Sequence, residues 1–193
     1  MGLKFGGVLT GHAVSTTRNV VYGGVDETLT ADYGASTVQG FAEASYALPL
    51  TSALTVKPFV GLGYLGYKAE GFEEEGGLAA LTGNGTNYDV ALLTVGVQGN
   101  SQFVVGEGML VNVDGMLAWQ HTASDGGAES EMAFAAGNPF TVAGAPIAAD
   151  ALVLKAGLSV DVNEALALGA SYGGQLSSEA QSHSLKASVS GKF

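Results

Sequence analysis

The chain has 193 residues but no cysteine, only 4 prolines, and only 7 Lys and Arg residues against 18 Asp and Glu. The absence of cysteine excludes disulfides and thiolate metal sites. The formal net charge of -11 predicts no nucleic-acid partner, because phosphates are bound by clustered Lys and Arg. No apolar run approaches the roughly 18 residues of a membrane helix. Residues 1–10 also lack the basic and apolar regions of a signal peptide, so we expect a mature or partial chain.

Glycine and alternating apolar residues are what the chain does have. It contains 30 glycines, and its mean hydropathy of +0.28 is positive. Apolar residues recur at every second position in eight segments, as in strands that have one apolar and one polar face. These segments are 3–12, 37–48, 56–64, 93–98, 111–120, 154–162, 166–173 and 183–193. Most are long enough for the roughly 9 to 11 residues of a tilted membrane strand. The pattern therefore predicts an all-β fold, an antiparallel transmembrane β-barrel of about eight strands.

The polar positions of these strands are expected to face the lumen of the barrel. They are Lys4, Gln39, Glu43, Lys57, Gln98, Asn112, Asp114, Gln120, Lys155, Asp161 and Lys186. Asp32 and Glu43 are candidates to pair across the lumen with Lys4, Lys57 or Lys155, because enclosed charges are costly unless they are paired. An aromatic belt at the lipid headgroups is expected from Tyr46, Tyr64, Trp119 and Tyr172, which fall on the apolar face near strand ends.

The predicted connections alternate between two length classes, as in barrels with short periplasmic turns and longer extracellular loops. Residues 49–53, 99–108 and 163–165 form the short class. Residues 15–28, 71–87, 122–151 and 177–182 form the longer class. Both termini are therefore expected on the periplasmic side, and the acidic runs 73–75 and 125–131 outside the cell.

Five motifs follow one another in an order typical of one known family. They are KPFVGLGY at 57–64, followed by GF at 71–72 and GG at 76–77; LAWQH at 117–121; FTVAGAPI at 140–147 with Asp150; SYGGQ at 171–175; and AQSH at 180–183 before the terminal Phe193. Together they resemble the C-terminal β-domain of classical autotransporters, from near Gly7 to Phe193. The resemblance implies a Gram-negative outer-membrane barrel that exports and anchors an N-terminal passenger, in type V secretion. It also implies insertion by the barrel assembly machinery, which reads a terminal signal that matches Leu185, Val189 and Phe193 here.

The strand count departs from the pattern of this family. The family barrel has about twelve strands, so residues 1–193 are expected to form a single barrel domain that lacks its first strands and the linker helix. Eight strands that close on themselves would leave an interior filled by side chains. We therefore expect the isolated chain either to close or to oligomerise, because open edges in lipid leave backbone groups unsatisfied.

Catalytic and metal-binding patterns are weak. His12, His121 and His183 stand apart without metal-ligand spacing, and Glu73 to Glu75 lie in one loop. Ser124, His121 and Asp125 lack the Gly-x-Ser-x-Gly elbow of a hydrolase, and Gly83-Asn84-Gly85 lacks the Lys-Ser or Lys-Thr of a phosphate loop. No enzyme activity, cofactor or metal is therefore expected.

Three functions remain open at this point. The first is an autotransporter translocator, with outer-membrane lipid, the assembly machinery and the passenger as partners. The second is a small outer-membrane barrel that serves as an anchor or adhesin through its acidic loops. The third is a soluble barrel or sandwich that binds a ligand inside. The polar alternate face disfavours the third, because it would make a poor hydrophobic core.

Overall fold

The computed structural model describes residues 1–106, 108–124, 129–144, 147–163 and 165–191. Thirteen β-strands form the described fold. Their bounds are β1 Gly2–Tyr22, β2 Val25–Ser45, β3 Leu48–Pro49, β4 Leu54–Ala69, β5 Phe72–Glu73, β6 Leu81–Gly83, β7 Thr86–Val105, β8 Met109–Ser124, β9 Glu129–Phe134, β10 Phe140–Ala143, β11 Asp150–Asn163, β12 Leu166–Leu176 and β13 Gln181–Gly191. Among the described residues, no helix is long and apolar enough to cross a membrane.

Eight long strands form one antiparallel sheet, which we call the wall. Their order is β1-β2-β4-β7-β8-β11-β12-β13, with the short β3 paired to β4. The order follows the chain, as expected when consecutive strands are joined by hairpins. The wall curls into half a barrel. Within the described residues, β1 pairs with β2 alone and β13 with β12 alone, so the wall has two open edges.

The eight predicted segments correspond to these eight long strands, and the all-β antiparallel fold is confirmed. Two predicted connections were wrong. Residues 15–28 are strand rather than loop, because β1 and β2 run on to a tight turn at Gly23 and Gly24, which have φ of 53° and 90°. Glycine adopts such positive φ values without steric cost. Residues 99–108 are mostly strand as well, because β7 continues to Val105 and β8 starts at Met109.

The two long connections also contain strands. β5 and β6 lie between β4 and β7, and β9 and β10 lie between β8 and β11. They pair across the two connections into a four-stranded sheet of order β10-β9-β6-β5, which we call the rim sheet. A backbone bridge between Thr30 and Glu75 attaches the rim sheet to β2, beyond the last β4 partner of β2 at Ala35. The rim sheet therefore lies beyond the end of β4, beside the part of the β1–β2 hairpin that β4 does not reach.

Candidate functional site

The wall has one polar face, and the strand register places all eleven predicted polar residues on it. Residues directly opposite each other on paired strands share a face. Lys4 lies opposite Glu43, Lys57 opposite Gln98, and Asn100 opposite Asp114. Continuing the register across the wall adds the remaining members to the same face, namely Gln39, Asn112, Gln120, Lys155, Asp161 and Lys186.

The polar face is the concave face of the wall. One hollow on it is lined by side chains from five strands, including Phe59, Thr94, Gln120 and Lys155. Lys4 Nζ donates to Glu43 Oε1 at 3.0 Å. The two residues belong to the predicted charge set, but they pair between adjacent strands rather than across the lumen. The Gln175 amide donates to Gln120 Oε1 at 3.0 Å. These contacts join neighbouring and more distant strands through polar side chains.

One predicted member of the charge pairing was placed wrongly. The register puts Asp32 on the opposite, convex face, where it accepts a hydrogen bond from Ser15. It therefore cannot pair with a lysine of the concave face. The prediction failed because the polarity of the β1–β2 hairpin changes along its length, as described below.

The convex face carries the large hydrophobic side chains, and most of them are exposed. Leu3 and Phe5 on β1 and Leu62 on β4 are 69%, 85% and 61% exposed. Among the described wall residues, the exposed large hydrophobic side chains that lie on the concave face instead are Val8, Tyr22, Phe41 and Val104. A water-soluble protein rarely exposes a continuous apolar surface of this extent. The surface requires an apolar environment.

Three aromatic side chains lie on the convex face at a regular interval. Tyr64, Trp119 and Tyr172 stand on β4, β8 and β12, every second strand of the wall. Through the register, Trp119 lies level with Val60, four residues before Tyr64, since Val95 pairs with both. Trp119 likewise lies level with Leu176, four residues after Tyr172, through Leu152. This constant stagger is what tilted strands produce in a barrel wall.

Each of the three rings contacts a polar side chain nearer the rim sheet. The Tyr64 hydroxyl donates to Asp89 Oδ1 at 2.6 Å. Trp119 Nε1 donates to Asp150 Oδ1 at 3.0 Å, and Asp150 also contacts His121. The Tyr172 hydroxyl lies 2.8 Å from His183 Nδ1. The apolar band of the convex face therefore ends at these rings and gives way to polar side chains.

The remaining predicted belt residue and the predicted signal residues do not belong to these three ring contacts. Tyr46 directly follows the end of β2, not within it, and its backbone N–H donates to Pro58 O at 3.1 Å at the far end of the wall from the rim sheet. Leu185 and Val189 point to the convex face of β13, opposite Tyr172 and Leu168. Phe193 lies outside the described residues.

The polarity of the two faces reverses beyond the aromatic rings. In the rim sheet, the face that continues the concave side is apolar. It carries Phe72, Leu81, Met132, Phe134, Phe140 and Val142. The face that continues the convex side is acidic. It carries Glu73, Glu75, Glu129 and Glu131. The β1–β2 hairpin reverses in the same way, since Thr17 and Thr30 continue the face of Leu9 and Val38.

An ion pair links the rim sheet to the β1–β2 hairpin. Arg18 contacts both carboxylate oxygens of Glu74, with Nε to Oε1 at 3.0 Å, and donates to Ala79 O at 2.7 Å. Glu74 is 8% exposed and also accepts the Leu81 N–H at 2.9 Å. The hydrogen bonds from Arg18 hold the pKa of the Glu74 carboxyl below its ordinary value, against the opposing effect of burial. The same pairing raises the pKa of Arg18.

The three histidines are not brought together. His12 contacts Thr37 on the concave face, whereas His121 and His183 belong to two of the aromatic groups on the convex face. Residues 1–106, 108–124, 129–144, 147–163 and 165–191 contain no group of three His, Cys, Asp or Glu side chains arranged to hold a metal. In the Ser124, His121 and Asp125 set, His121 contacts Asp150 instead, and Asp125 lies outside the described residues.

Comparison with known proteins agrees with this architecture. Residues 1–173 match the family described as Autotransporter beta-domain. The chain belongs to this family. Two proteins of Serratia marcescens, each named "Extracellular serine protease", are 32% identical to it over 194 aligned residues. The alignments cover 100% of this chain and 18% of each relative.

Membership of the autotransporter β-domain family confirms the predicted role. The chain is a translocator and anchor domain of type V secretion in the outer membrane of Gram-negative bacteria.

The sequence analysis did not find Arg18, Glu27 or Glu74 as an interacting set. The available signal was that Arg18 is the single arginine of the chain and lies on the face that carries Leu29 and Ala31.

Proposed function

We propose that the concave face lines the lumen of the translocator and that the convex face contacts outer-membrane lipid. The observation that carries the proposal is the reversal of face polarity at Tyr64, Trp119 and Tyr172. A wall that passes from lipid into water needs an apolar outer face only within the bilayer. On β8 the apolar positions run from Met109 to Trp119, in keeping with the roughly 9 to 11 residues that a tilted strand needs.

The same reversal supports an orientation. The rim sheet lies outside the cell with its acidic face in water, and both termini lie on the periplasmic side. Tyr64, Trp119 and Tyr172 then form the outer aromatic belt, and Tyr46 lies at the periplasmic boundary. Tyr and Trp suit these levels because each has an apolar ring and a polar atom.

We propose two further partners, a role for the last strand, and additional strands that complete the barrel. Leu185, Val189 and Phe193 serve as the signal that the barrel assembly machinery reads. Further strands, which are not part of the described wall, complete the barrel along the open edges of β1 and β13. In the full gene, a passenger precedes the domain and is exported. Residues 1–193 form one domain and have no enzyme activity of their own.

The two relatives support the proposal that a passenger precedes this domain. This chain spans about 18% of the length of the curated relatives that it matches. Those relatives are named as extracellular serine proteases, so a protein that carries this domain type can bear a secreted activity elsewhere in its chain.

A pair of single-cysteine variants tests the assignment of the two faces, because the chain has no native cysteine. Leu154→Cys and Lys155→Cys are neighbours on β11 that point to opposite faces. After refolding into lipid vesicles, Leu154→Cys should react with a lipid-soluble maleimide and resist a water-soluble one. Lys155→Cys should show the opposite preference. Equal reaction of both variants with the water-soluble reagent would contradict a membrane-facing convex surface.

A second candidate is an anchor without transport, favoured by the ordered acidic face of the rim sheet. Gel migration without boiling and conductance in a planar bilayer distinguish the two candidates. A compact, heat-sensitive band with steady open-channel current supports a translocating pore. The same band without current supports the anchor.

A further inference from the structure

The tip of the β5–β6 connection, residues 76–80, folds onto the concave side of β2. Gly76 packs so closely on Thr28 that an added Cβ would lie 2.2 Å from Thr28 O, and its φ is 120°. Gly77 is equally close to the Glu27 side chain. Leu29 is 0% exposed and Ala79 is 8% exposed. The tip therefore covers Leu29, the most completely buried large side chain among the described residues.

Two side chains of the β1–β2 hairpin hold this tip. Glu27 accepts the backbone N–H groups of Leu78 at 3.0 Å and Ala79 at 2.9 Å. Arg18 binds the carbonyl of Ala79 and the carboxylate of Glu74. Tyr33 stacks on Phe72 with ring centroids 5.5 Å apart. We call Arg18, Glu27 and Glu74 the clasp. It holds the start, the middle and the end of the connection, since Glu74 also binds the Leu81 N–H.

The clasp contacts the first long connection, but the second depends on it through the rim sheet. β6 pairs with β9 from Leu81 to Gly83. The Asn84 backbone N–H donates to Glu131 O at 3.0 Å, and the Asn84 side chain donates to Glu131 Oε1 at 3.2 Å. Thr86 Oγ1 donates to Glu129 O at 3.3 Å. Thr86 is the first residue of β7 in the wall, so this last contact can survive without the rim sheet. If β5 and β6 leave the hairpin, β9 and β10 therefore lose the β6 pairing and keep only this contact to the wall.

We propose that the rim sheet is a single cover at the outer mouth of the barrel, locked by the clasp, and that opening the clasp releases both long connections together. This inference rests on the proposed orientation, in which the rim sheet lies outside the cell. The apolar inner face of the rim sheet faces the axis of the mouth, so the locked cover narrows the exit with apolar side chains. A released cover exposes that face and widens the exit.

Limited proteolysis with a glutamyl endopeptidase tests the inference on the full chain in lipid vesicles. The rim sheet offers cleavage sites at Glu73 and Glu75 in the first connection and at Glu129 and Glu131 in the second. Arg18→Ala should speed cleavage in both connections by at least about tenfold, because cleavage follows the population of the open form. The decisive sites are Glu129 and Glu131, which the described contacts of Arg18 do not include.

Matched variants complete the design. Lys4→Ala removes the other ion pair of the same hairpin, Lys4–Glu43, and should leave cleavage of the rim sheet unchanged. Arg18→Lys keeps the charge but loses the two-pronged contact, so its rates should fall between wild type and Arg18→Ala. Glu27→Ala removes the hydrogen bonds to the backbone of residues 78 and 79 and leaves Arg18 in place. It should also speed cleavage in both connections.

The outcomes separate this inference from the proposed orientation and membrane role. Faster cleavage of both connections with an unchanged heat-sensitive gel band supports the coupled cover. Faster cleavage of the first connection alone, or no change in either with both Arg18→Ala and Glu27→Ala, overturns it. If wild type shows no heat-sensitive band, or is cleaved only in vesicles opened to the interior, the membrane role or the orientation has failed instead. If Arg18→Ala fails to fold, Glu27→Ala and Arg18→Lys decide.

Discussion

Trp119 is the single tryptophan of the chain, so its fluorescence tests the proposed aromatic belt without any added probe. We expect lipids brominated near the headgroup to quench its fluorescence more than lipids brominated near the chain ends. The control is Trp119→Phe with Leu158→Trp, because Leu158 lies on the same face and is 48% exposed against 44% for Trp119. The control should show the reverse order of quenching. The same order in both proteins would contradict a belt at Trp119.

Gly96 is closely packed between two neighbouring strands on the concave face. It lies opposite Phe59 and Ala118, which are 8% and 1% exposed. A Cβ at Gly96 would lie 2.5 Å from the Ala118 Cβ and 2.6 Å from Leu117 O. Gly96→Ala should therefore lower the free energy of unfolding by about 1 to 3 kcal/mol. At Gly99, on the same strand, an added Cβ would meet nothing within 4 Å. Gly99→Ala should therefore leave the free energy of unfolding nearly unchanged. Urea unfolding in vesicles measures both, and equal stability would refute the close packing.

The depressed pKa of Glu74 makes the clasp sensitive to acid. Its carboxylate accepts hydrogen bonds from Arg18 on β1 and from the Leu81 N–H. The other acidic side chain of the clasp, Glu27 on β2, binds the backbone of residues 78 and 79 instead. A group whose pKa is lowered by folding stabilises the fold above its unfolded pKa, and this contribution is lost as the pH falls through the folded pKa. Accessibility of the rim sheet should therefore rise at acid pH. It is measured as cleavage by an acid-active protease such as pepsin, relative to cleavage of an unfolded substrate at the same pH. Arg18→Ala should weaken this pH dependence, because only the Leu81 N–H then lowers the pKa of Glu74. A dependence of unchanged size in the variant would locate the titrating group elsewhere.

At the scale of elements, alternation predicted the long strands because the wall has one apolar and one polar face over most of its length. It failed on residues 15–28, because there the two faces exchange polarity while the strand continues. Ser15, Thr17 and Asn19 continue the apolar face of Leu3 and Leu9. A period-two pattern that inverts its phase resembles a loop when it is read as a single alternation.

The exchange of polarity along β1 makes a direct prediction about two equally exposed positions. Phe5 and Val21 lie on the same face and are 85% and 76% exposed. Phe5→Arg places a charge within the apolar band and should cost about 2 to 4 kcal/mol in lipid. Val21→Arg lies beyond the band and should cost little. Unfolding in vesicles gives both values, and similar costs would contradict a membrane boundary between them.

At the scale of the whole molecule, the clasp was beyond sequence analysis because it depends on three-dimensional assembly. Arg18 and Glu74 are 56 residues apart. They meet because β2 extends past β4 and leaves a free edge for the first long connection. The eleven polar residues of the concave face were predictable, since each of them needs only the local alternation of its own strand.

The open edges of β1 and β13 lead to a last prediction. In lipid, each unpaired backbone group of an edge strand costs several kcal/mol, so an isolated chain should not remain an open sheet. Leu3→Cys with Val189→Cys places one thiol on each edge strand, on the convex face and toward the end opposite the rim sheet. Oxidation in vesicles should form a disulfide, within one chain if the wall closes and between chains if two walls associate. Non-reducing electrophoresis and mass measurement distinguish the two products.

Phe5→Cys with Leu62→Cys is the control, because both thiols lie within the wall on strands separated by β2. This control pair should remain reduced. If the Leu3→Cys and Val189→Cys thiols also stay reduced while the gel band is compact, the two edge strands pair neither within one chain nor between two chains, and the prediction is wrong.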